Sequence, residues 1–269
     1  MSGNVLVVIG AGGMGMAIAR RCGKDSLVML ADIGEVSSAL ADEAYDVRTQ
    51  QVDVSDLISV AALAKAAAEL GPVQSVVHTA GLSPMQSPAD RVIAVDLLGT
   101  AHVIDAFGPV IVAGGAAVVI SSMAGHLTGG LPAADEAAIA AADAADLAAL
   151  PCVRAAAAGD PGLAYAFAKA AVSALVRAAA QPWGRRGARI NAISPGVIDT
   201  SMGKAELDGP SGGFMRTMVE VSGAGRLGTP DDIAAATEFL LSPNAAFITG
   251  ADLLVDGGVV AAVRSGQLG

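Results

Sequence analysis

Near its start the chain runs Asn4-Val5-Leu6-Val7-Val8-Ile9 directly into Gly10-Ala11-Gly12-Gly13-Met14-Gly15, followed by the helix-compatible Met16-Ala17-Ile18-Ala19-Arg20-Arg21. An unbroken apolar run of this length suits a strand covered on both faces, as in a parallel sheet. Glycines then let the chain turn tightly from strand into helix, which leaves the first helical N–H groups and the positive end of the helix dipole aimed at open space. A strand, a glycine turn and a helix N-terminus together make an anion site. In that context GxGxxG is the fingerprint of a dinucleotide pyrophosphate site. Gly10, Gly12, Gly13, Met14 and Gly15 are the candidate phosphate-binding residues. The plain alternative is a glycine-rich turn that only packs.

The next apolar run, Leu27-Val28-Met29-Leu30-Ala31, ends in Asp32, 17 residues after Gly15 and near where a dinucleotide fold puts its ribose-binding acid. A carboxylate there accepts hydrogen bonds from both adenosine ribose hydroxyls. It repels a 2′-phosphate by up to ~4 kcal/mol per charge pair at ~4 Å and an effective dielectric of ~20, so NAD is preferred over NADP. Alternatively, Asp32 caps a short following helix. A third buried-type run, Val118-Val119-Ile120-Ser121-Ser122, ends in hydroxyls. Ligands bind beyond the carboxyl ends of such strands, so Ser122 points toward the same crevice.

Tyr165 and Lys169 lie in Ala-Tyr-Ala-Phe-Ala-Lys-Ala-Ala-Val, a strongly helix-forming run. At i and i+4 they share one helical face. An ammonium beside a phenol favours the phenolate. Lowering a phenol from ~10 by ~3 units is worth ~4 kcal/mol and makes it a usable acid or base near neutrality. Standing alone, the pair reads as an amphipathic helix with a half-buried Tyr and a solvated Lys.

Other landmarks follow in order: Val52-Asp53-Val54, His78-Thr79-Ala80-Gly81, Val95-Asp96-Leu97-Leu98-Gly99-Thr100, Arg189-Ile190-Asn191-Ala192-Ile193-Ser194-Pro195-Gly196, Thr200 and Val255-Asp256-Gly257-Gly258. Together with the glycine loop, Ser122 and Tyr165-x-x-x-Lys169, they resemble the short-chain dehydrogenase/reductase family of the compact single-domain type, over nearly the whole chain. The resemblance implies an α/β fold, a Rossmann-like doubly wound parallel sheet. It implies an NAD(H)-dependent enzyme interconverting a secondary alcohol and a ketone. Ser122, Tyr165 and Lys169 would be catalytic, with Asp96 where the family has the Asn that supports a water relay to the Lys. Asp53 and Val54 would hold the adenine, Ala80 and Gly81 would offer backbone beside the adenosine, and Pro195, Gly196, Val197, Ile198 and Thr200 would seat the nicotinamide. Tyr165 and Lys169 would also touch the cofactor, Lys169 by holding its ribose.

The chain departs from the family pattern at four places. The glycine loop is one residue shorter than GxxxGxG, leaving the middle role to Gly12 or Gly13. His78 and Thr79 replace two asparagines, and Asp96 replaces another. Finally, 42 residues separate Ser122 from Tyr165, against roughly a dozen in typical members. The additional stretch, about 127–160, reads as one or two helices. Asp135 and Glu136 fall near the start, where the dipole favours acids, and Pro151 is a break. Its apolar positions are Ile139, Leu147, Leu150 and Val153. A comparable insertion and Val-Asp-Gly-Gly ending make the chain resemble the bacterial 3α-hydroxysteroid dehydrogenase/carbonyl reductase subgroup. In that subgroup the insertion obstructs one of the family's two subunit interfaces.

Length and pattern fit one domain over residues 1–269, with strands expected near 4–9, 27–32, 47–52, 75–79, 116–121, 189–194 and 252–255. Only 16% of residues are charged while 53% are apolar, so part of the apolar excess is expected in subunit contacts of a homodimer or homotetramer. A net charge of −10 without a basic stripe argues against nucleic acid. No run approaches the ~20 apolar residues of a membrane span, and the N-terminus lacks the basic region of a signal peptide. Cys22 and Cys152 fit a reducing cytoplasm. The histidines at 78, 102 and 126 stand apart, so no metal is expected. His126 either lines the substrate pocket or sits in a surface turn. Pocket segments are expected at 82–90, 123–130 and 200–222. Two other functions share some of these features. One is a sugar-nucleotide epimerase or dehydratase, for which little chain is left to form a substrate domain. The other is an NAD-binding redox sensor with little turnover.

Overall fold

The computed structural model describes residues 3–36 and 39–267. Seven strands form one sheet: β1 Val5–Ile9, β2 Leu27–Asp32, β3 Val47–Gln51, β4 Val73–His78, β5 Ile111–Ile120, β6 Arg189–Pro195 and β7 Asp252–Val255. Their order is β3-β2-β1-β4-β5-β6-β7, and every adjacent pair is parallel. This is the expected Rossmann-like architecture. The strand order reverses between β1 and β4, which opens a crevice at the carboxyl ends of the strands.

All five residues of β1 are buried, because helices cover both faces of the sheet. Val5, Val7 and Ile9 pack with Val60, Leu63, Phe107, Val172 and Val176 from helices Leu57–Leu70, Gly99–Phe107 and Pro161–Arg185. Leu6 and Val8 face the opposite way, toward Ile18, Ile233 and Leu240 from helices Gly13–Cys22 and Pro230–Leu241. Each fully buried aliphatic side chain contributes roughly 1.5–3 kcal/mol, so the continuous apolar strands both specify the double layer and stabilise it.

Helix Pro161–Arg185 meets a length and composition test for a membrane span, yet 61% of its most apolar window is buried inside the fold. Its apolarity serves the core: it packs on the sheet with one side and on the insertion with another. The insertion forms helix Ala133–Ala141, a 3₁₀ turn Leu147–Ala149 and helix Pro151–Ala157. Asp135 and Glu136 occupy the first turn of the first helix. Pro151 does more than interrupt, since it opens the second helix at a position where its missing N–H costs nothing. Ile139, Leu147 and Val153 are fully buried against Ala89, Ile93, Leu97, Ala168, Ala171 and Leu175. The insertion thus covers the outer face of the helix pair formed by residues 89–107 and Pro161–Arg185.

Candidate active site

At the carboxyl edge, β1 delivers the glycine loop and the following helix starts at Gly13, with Gly12 as its N-cap. Gly10 has φ +99°, and a Cβ there would lie 2.5 Å from the Ala80 nitrogen. A Cβ on Gly15 would fall 1.9 Å from the Gly10 carbonyl oxygen. The fold itself therefore demands glycine at 10 and 15. Gly12 differs: a Cβ there would meet no protein atom within 4 Å. It faces a cleft of about 240 Å³, lined by Gly10, Gly12, Gly13, Met14, Gly15, Asp32, Asp53, Val54, Ala80 and Gly81, with Arg91 and Thr200. Asp32 is fixed there by the Ala11 N–H at 2.6 Å on one carboxylate oxygen and the Ile33 N–H at 2.7 Å on the other. No helix begins directly after it, so it does not cap one; the next, Ala39–Asp42, starts further on. Asp53 accepts hydrogen bonds from the Ser55 hydroxyl at 2.6 Å and the Ser55 N–H at 2.9 Å, which hold its carboxyl below the usual range.

A second cleft of about 390 Å³ adjoins the first and shares Met14, Thr200 and Met202 with it. Ser122, Tyr165, Pro195, Gly196, Val197 and Ile198 line it. The two end-of-strand serines have separate tasks. Ser121 is buried and donates to the Lys169 carbonyl at 2.9 Å, tying β5 to the long helix. Ser122 faces the cleft and the Tyr165 hydroxyl. Thr200 caps helix Ser201–Asp208, accepting the Gly203 N–H at 3.1 Å.

Lys169 is buried behind Tyr165, its Nζ 5.3 Å from the ring centroid and 3.5 Å from Oδ1 of a completely buried Asp96. A π-helical stretch, Ile93–Leu98, aims the Asp96 side chain inward. That widened turn is a frequent mark of functional segments. The Leu82 N–H also reaches Asp96 Oδ1, at 3.0 Å, whereas Asp96 Oδ2 has no partner among the described residues. Gly81 makes the approach possible, since a Cβ there would sit 2.5 Å from Asp96 Oδ1. Burial pushes the Asp96 carboxyl up, against the pull of the Lys169 ammonium. For Lys169 the balance reverses: burial pulls its pKa down, but Asp96 and Tyr165 outweigh it and the net shift is upward.

The family model described as short chain dehydrogenase matches residues 4–143, and that described as enoyl-(acyl carrier protein) reductase matches 131–260. A short-chain dehydrogenase/reductase of Alternaria brassicicola is 38% identical over 97% of this chain and 97% of its own length. The chain belongs to the short-chain dehydrogenase/reductase family. Among other relatives, a 3-alpha-hydroxysteroid dehydrogenase/carbonyl reductase of Comamonas testosteroni is 36% identical, over 72% of this chain and 76% of that protein. The crystal structure of a Pseudomonas 3-alpha-hydroxysteroid dehydrogenase complexed with NADH superposes with a TM-score of 0.79 at 29% identity, covering 97% of this chain and 99% of that one.

This dehydrogenase/reductase brings the expected residues together, with three differences. First, Lys169 does not depress the Tyr165 phenol on balance. Burial raises its pKa more than the ammonium lowers it, and Asp96 adds to the rise. Second, Lys169 lines neither cleft; its ammonium lies between Tyr165, Asp96 and Gly81. Third, His126 belongs neither to the pocket nor to a simple surface turn. Its Nε2 lies 2.9 Å from Asp252 and 3.2 Å from Ser194, in a knot that Ser173 also joins by donating to Asp252. The substituted pair also finds distinct places. Thr79 donates to the Gly10 carbonyl at 2.8 Å and braces the loop. His78 is buried with neither ring nitrogen paired among the described residues, and burial holds its pKa down to about 3, so it is neutral. Sequence reasoning missed Arg91, which carries no local motif; Ser83 and Glu206 fall within the expected pocket segments 82–90 and 200–222, without a role assigned to either.

Gly12 and Gly13 fit a bound nicotinamide dinucleotide. Their missing side chains leave the cleft open between the helix N-terminus and Asp32, while no packing contact requires glycine at residue 12. Backbone N–H groups at such a terminus suit a pyrophosphate.

Proposed function

We propose that the chain is an NAD(H)-dependent enzyme that interconverts a secondary alcohol and its ketone. One observation carries this reading: Ser122 and Tyr165 face a cleft that adjoins the Gly12–Asp32 cleft through Met14, Thr200 and Met202, with the buried Lys169–Asp96 pair directly behind the phenol. NAD, when bound, supplies the hydride acceptor for alcohol oxidation. The Ser122 hydroxyl hydrogen-bonds the substrate oxygen and orients it toward Tyr165. Tyr165 Oη takes the hydroxyl proton in oxidation and returns it in reduction. Lys169 stabilises the phenolate electrostatically, and Asp96 keeps Lys169 charged. Asp53 and Val54 hold the adenine, Ala80 and Gly81 flank the adenosine, and residues 195–198 with Thr200 seat the nicotinamide. Asp32 accepts the ribose hydroxyls and disfavours a 2′-phosphate. A phenol that burial keeps protonated at neutral pH is ready to act as the acid for ketone reduction; oxidation accelerates as the solution becomes alkaline.

The deciding experiment screens NAD⁺ reduction with secondary alcohols of graded size, hydroxysteroids among them, for the unaltered protein and Tyr165→Phe. Turnover in the unaltered protein is expected to fall at least ~10²-fold in the variant, with cofactor affinity nearly intact. Near-normal turnover by Tyr165→Phe refutes the assignment.

A further inference from the structure

The cleft beyond Ser122 and Tyr165 contains groups that hydride transfer itself does not require. Met85, Met123, Met202, Met215, Met218 and Phe214 give it a soft apolar wall. Thioether side chains adapt to ring systems of varied outline and select them weakly. Apart from Tyr165, one ionisable side chain lines this wall, Glu206 on helix Ser201–Asp208. No Lys, Arg or His lines it among the described residues.

The carboxylate of Glu206 is positioned. The buried Ser83 hydroxyl accepts the Met85 N–H at 3.2 Å and donates to Glu206 Oε1 at 2.8 Å. This bond joins the segment after β4 to the helix after Thr200 across the cleft. Among the described residues, the Glu206 carboxylate accepts no second hydrogen bond, so it keeps acceptor capacity for a ligand. Nearby cations are engaged elsewhere: Lys204 pairs with Asp199 at 3.0 Å and Arg216 with Asp208 at 3.7 Å. The Glu206 charge is felt at the reacting centre, where it raises the pKa of both Tyr165 and Lys169.

An apolar pocket with a few placed polar groups binds the body of a ligand through the wall and orients it through those groups. Resting on the alcohol–ketone reading, we propose that Glu206 is the substrate-orienting residue. The substrate class is an apolar cyclic secondary alcohol or ketone carrying a hydrogen-bond donor, hydroxyl or ammonium, remote from the reacting carbon. Anionic compounds are rejected because a second negative charge meets Glu206 with no cation among the described residues lining the cleft to compensate it.

Two scaffolds of different reach test this: cyclohexanol substituted at C4 and decalin-2-ol substituted at C6, each bearing hydrogen, hydroxyl, ammonium or carboxylate. Relative kcat/KM with NAD⁺ is measured for the unaltered protein and Glu206→Gln, and binding of the same compounds to the NAD⁺ complex is followed by calorimetry. Glutamine retains an acceptor oxygen for Ser83, removes the charge and turns the other oxygen into an NH2 donor, from which a ligand hydroxyl can still accept. On at least one scaffold the hydroxyl and ammonium compounds should exceed the carboxylate by about 100-fold in the unaltered protein. In Glu206→Gln the ammonium-to-carboxylate ratio should fall at least ~10-fold while the hydroxyl compound keeps its advantage over hydrogen. Equal use of carboxylate and hydroxyl compounds by the unaltered protein overturns the proposal, as does a ranking unchanged by Glu206→Gln. The two readouts separate this inference from the reading beneath it. A Glu206-dependent binding order without oxidation of any alcohol refutes the alcohol reading alone, whereas oxidation without that order refutes the role of Glu206 alone.

Discussion

Replacing Asp96 by Asn tests the electrostatics behind Tyr165 with little change of shape. The amide oxygen can still accept the Leu82 N–H that Asp96 Oδ1 holds at 3.0 Å, so the backbone beside Gly81 keeps its anchor. What disappears is a negative charge 3.5 Å from Lys169 Nζ. At that separation and an effective dielectric of ~20, the Coulomb attraction is about 5 kcal/mol, and it is this that holds the Lys169 pKa up against burial. Tyr165 is further away. With Lys169 between them, the repulsion between Asp96 and the phenolate is weaker than the Asp96–Lys169 attraction. Asp96 raises the Tyr165 pKa, so its neutralisation lowers it. Oxidation needs the phenolate, and the rising limb of kcat/KM against pH should therefore move toward acid. Lys169 loses the partner that raises its own pKa, while burial still pulls it down. The alkaline plateau should consequently give way to a descending limb as Lys169 becomes neutral, leaving a bell. The assay is a pH series of kcat/KM with NAD⁺ and the best secondary alcohol. An unmoved rising limb would show that Asp96 carries no charge when oxidation is limiting; a shift toward alkali would show that the acid stabilises the phenolate.

The parts of the fold with a strong local cause were legible in the chain. The central strands follow apolar runs because a two-sided parallel sheet needs no polar face there, whereas the edge strand β3, Val-Arg-Thr-Gln-Gln, is largely exposed, and the glycine turn lies where β1 meets its helix. The insertion was legible for the same reason: Ile139, Leu147 and Val153 recur among alanines, and each ends fully buried. Spacing alone cannot report a balance of opposing energies. The i,i+4 placement of Lys169 correctly put an ammonium beside Tyr165, yet the sign of the phenol's shift depends on burial and on Asp96, 73 residues before Lys169 in the chain. His126 shows the same limit. Its neighbourhood is decided by Asp252 on β7, which only the strand order brings beside Ser194. Glu206 lies in the expected pocket segment 200–222, but its orientation comes from the buried Ser83, 123 positions earlier, which no local pattern reports.

Asp32→Ala should narrow the preference for NAD⁺ over NADP⁺, chiefly through weaker NAD⁺ binding; equal or tighter NADP⁺ binding by the unaltered protein in calorimetry would show that Asp32 does not face the ribose. The remaining prediction concerns assembly. The insertion covers the outer face of residues 89–107 and Pro161–Arg185, so a second copy is expected not to pack directly on that helix pair. β7 pairs only with β6 and is an open sheet edge, and sheet edges are either protected or paired. Around the carboxyl-terminal segment, Phe247 is fully exposed, Phe239 is 43% exposed and Leu253 38%. Large apolar side chains gathered near an open edge favour burial against a second copy. The expected assembly is a homodimer through this region, and Phe247→Asp should shift light scattering toward a monomer by placing a charge in the contact. A stable monomer of the unaltered chain, or a crystal structure with the ordinary helix-pair interface intact, refutes this arrangement; a tetramer does not, because two remodelled contacts also build one.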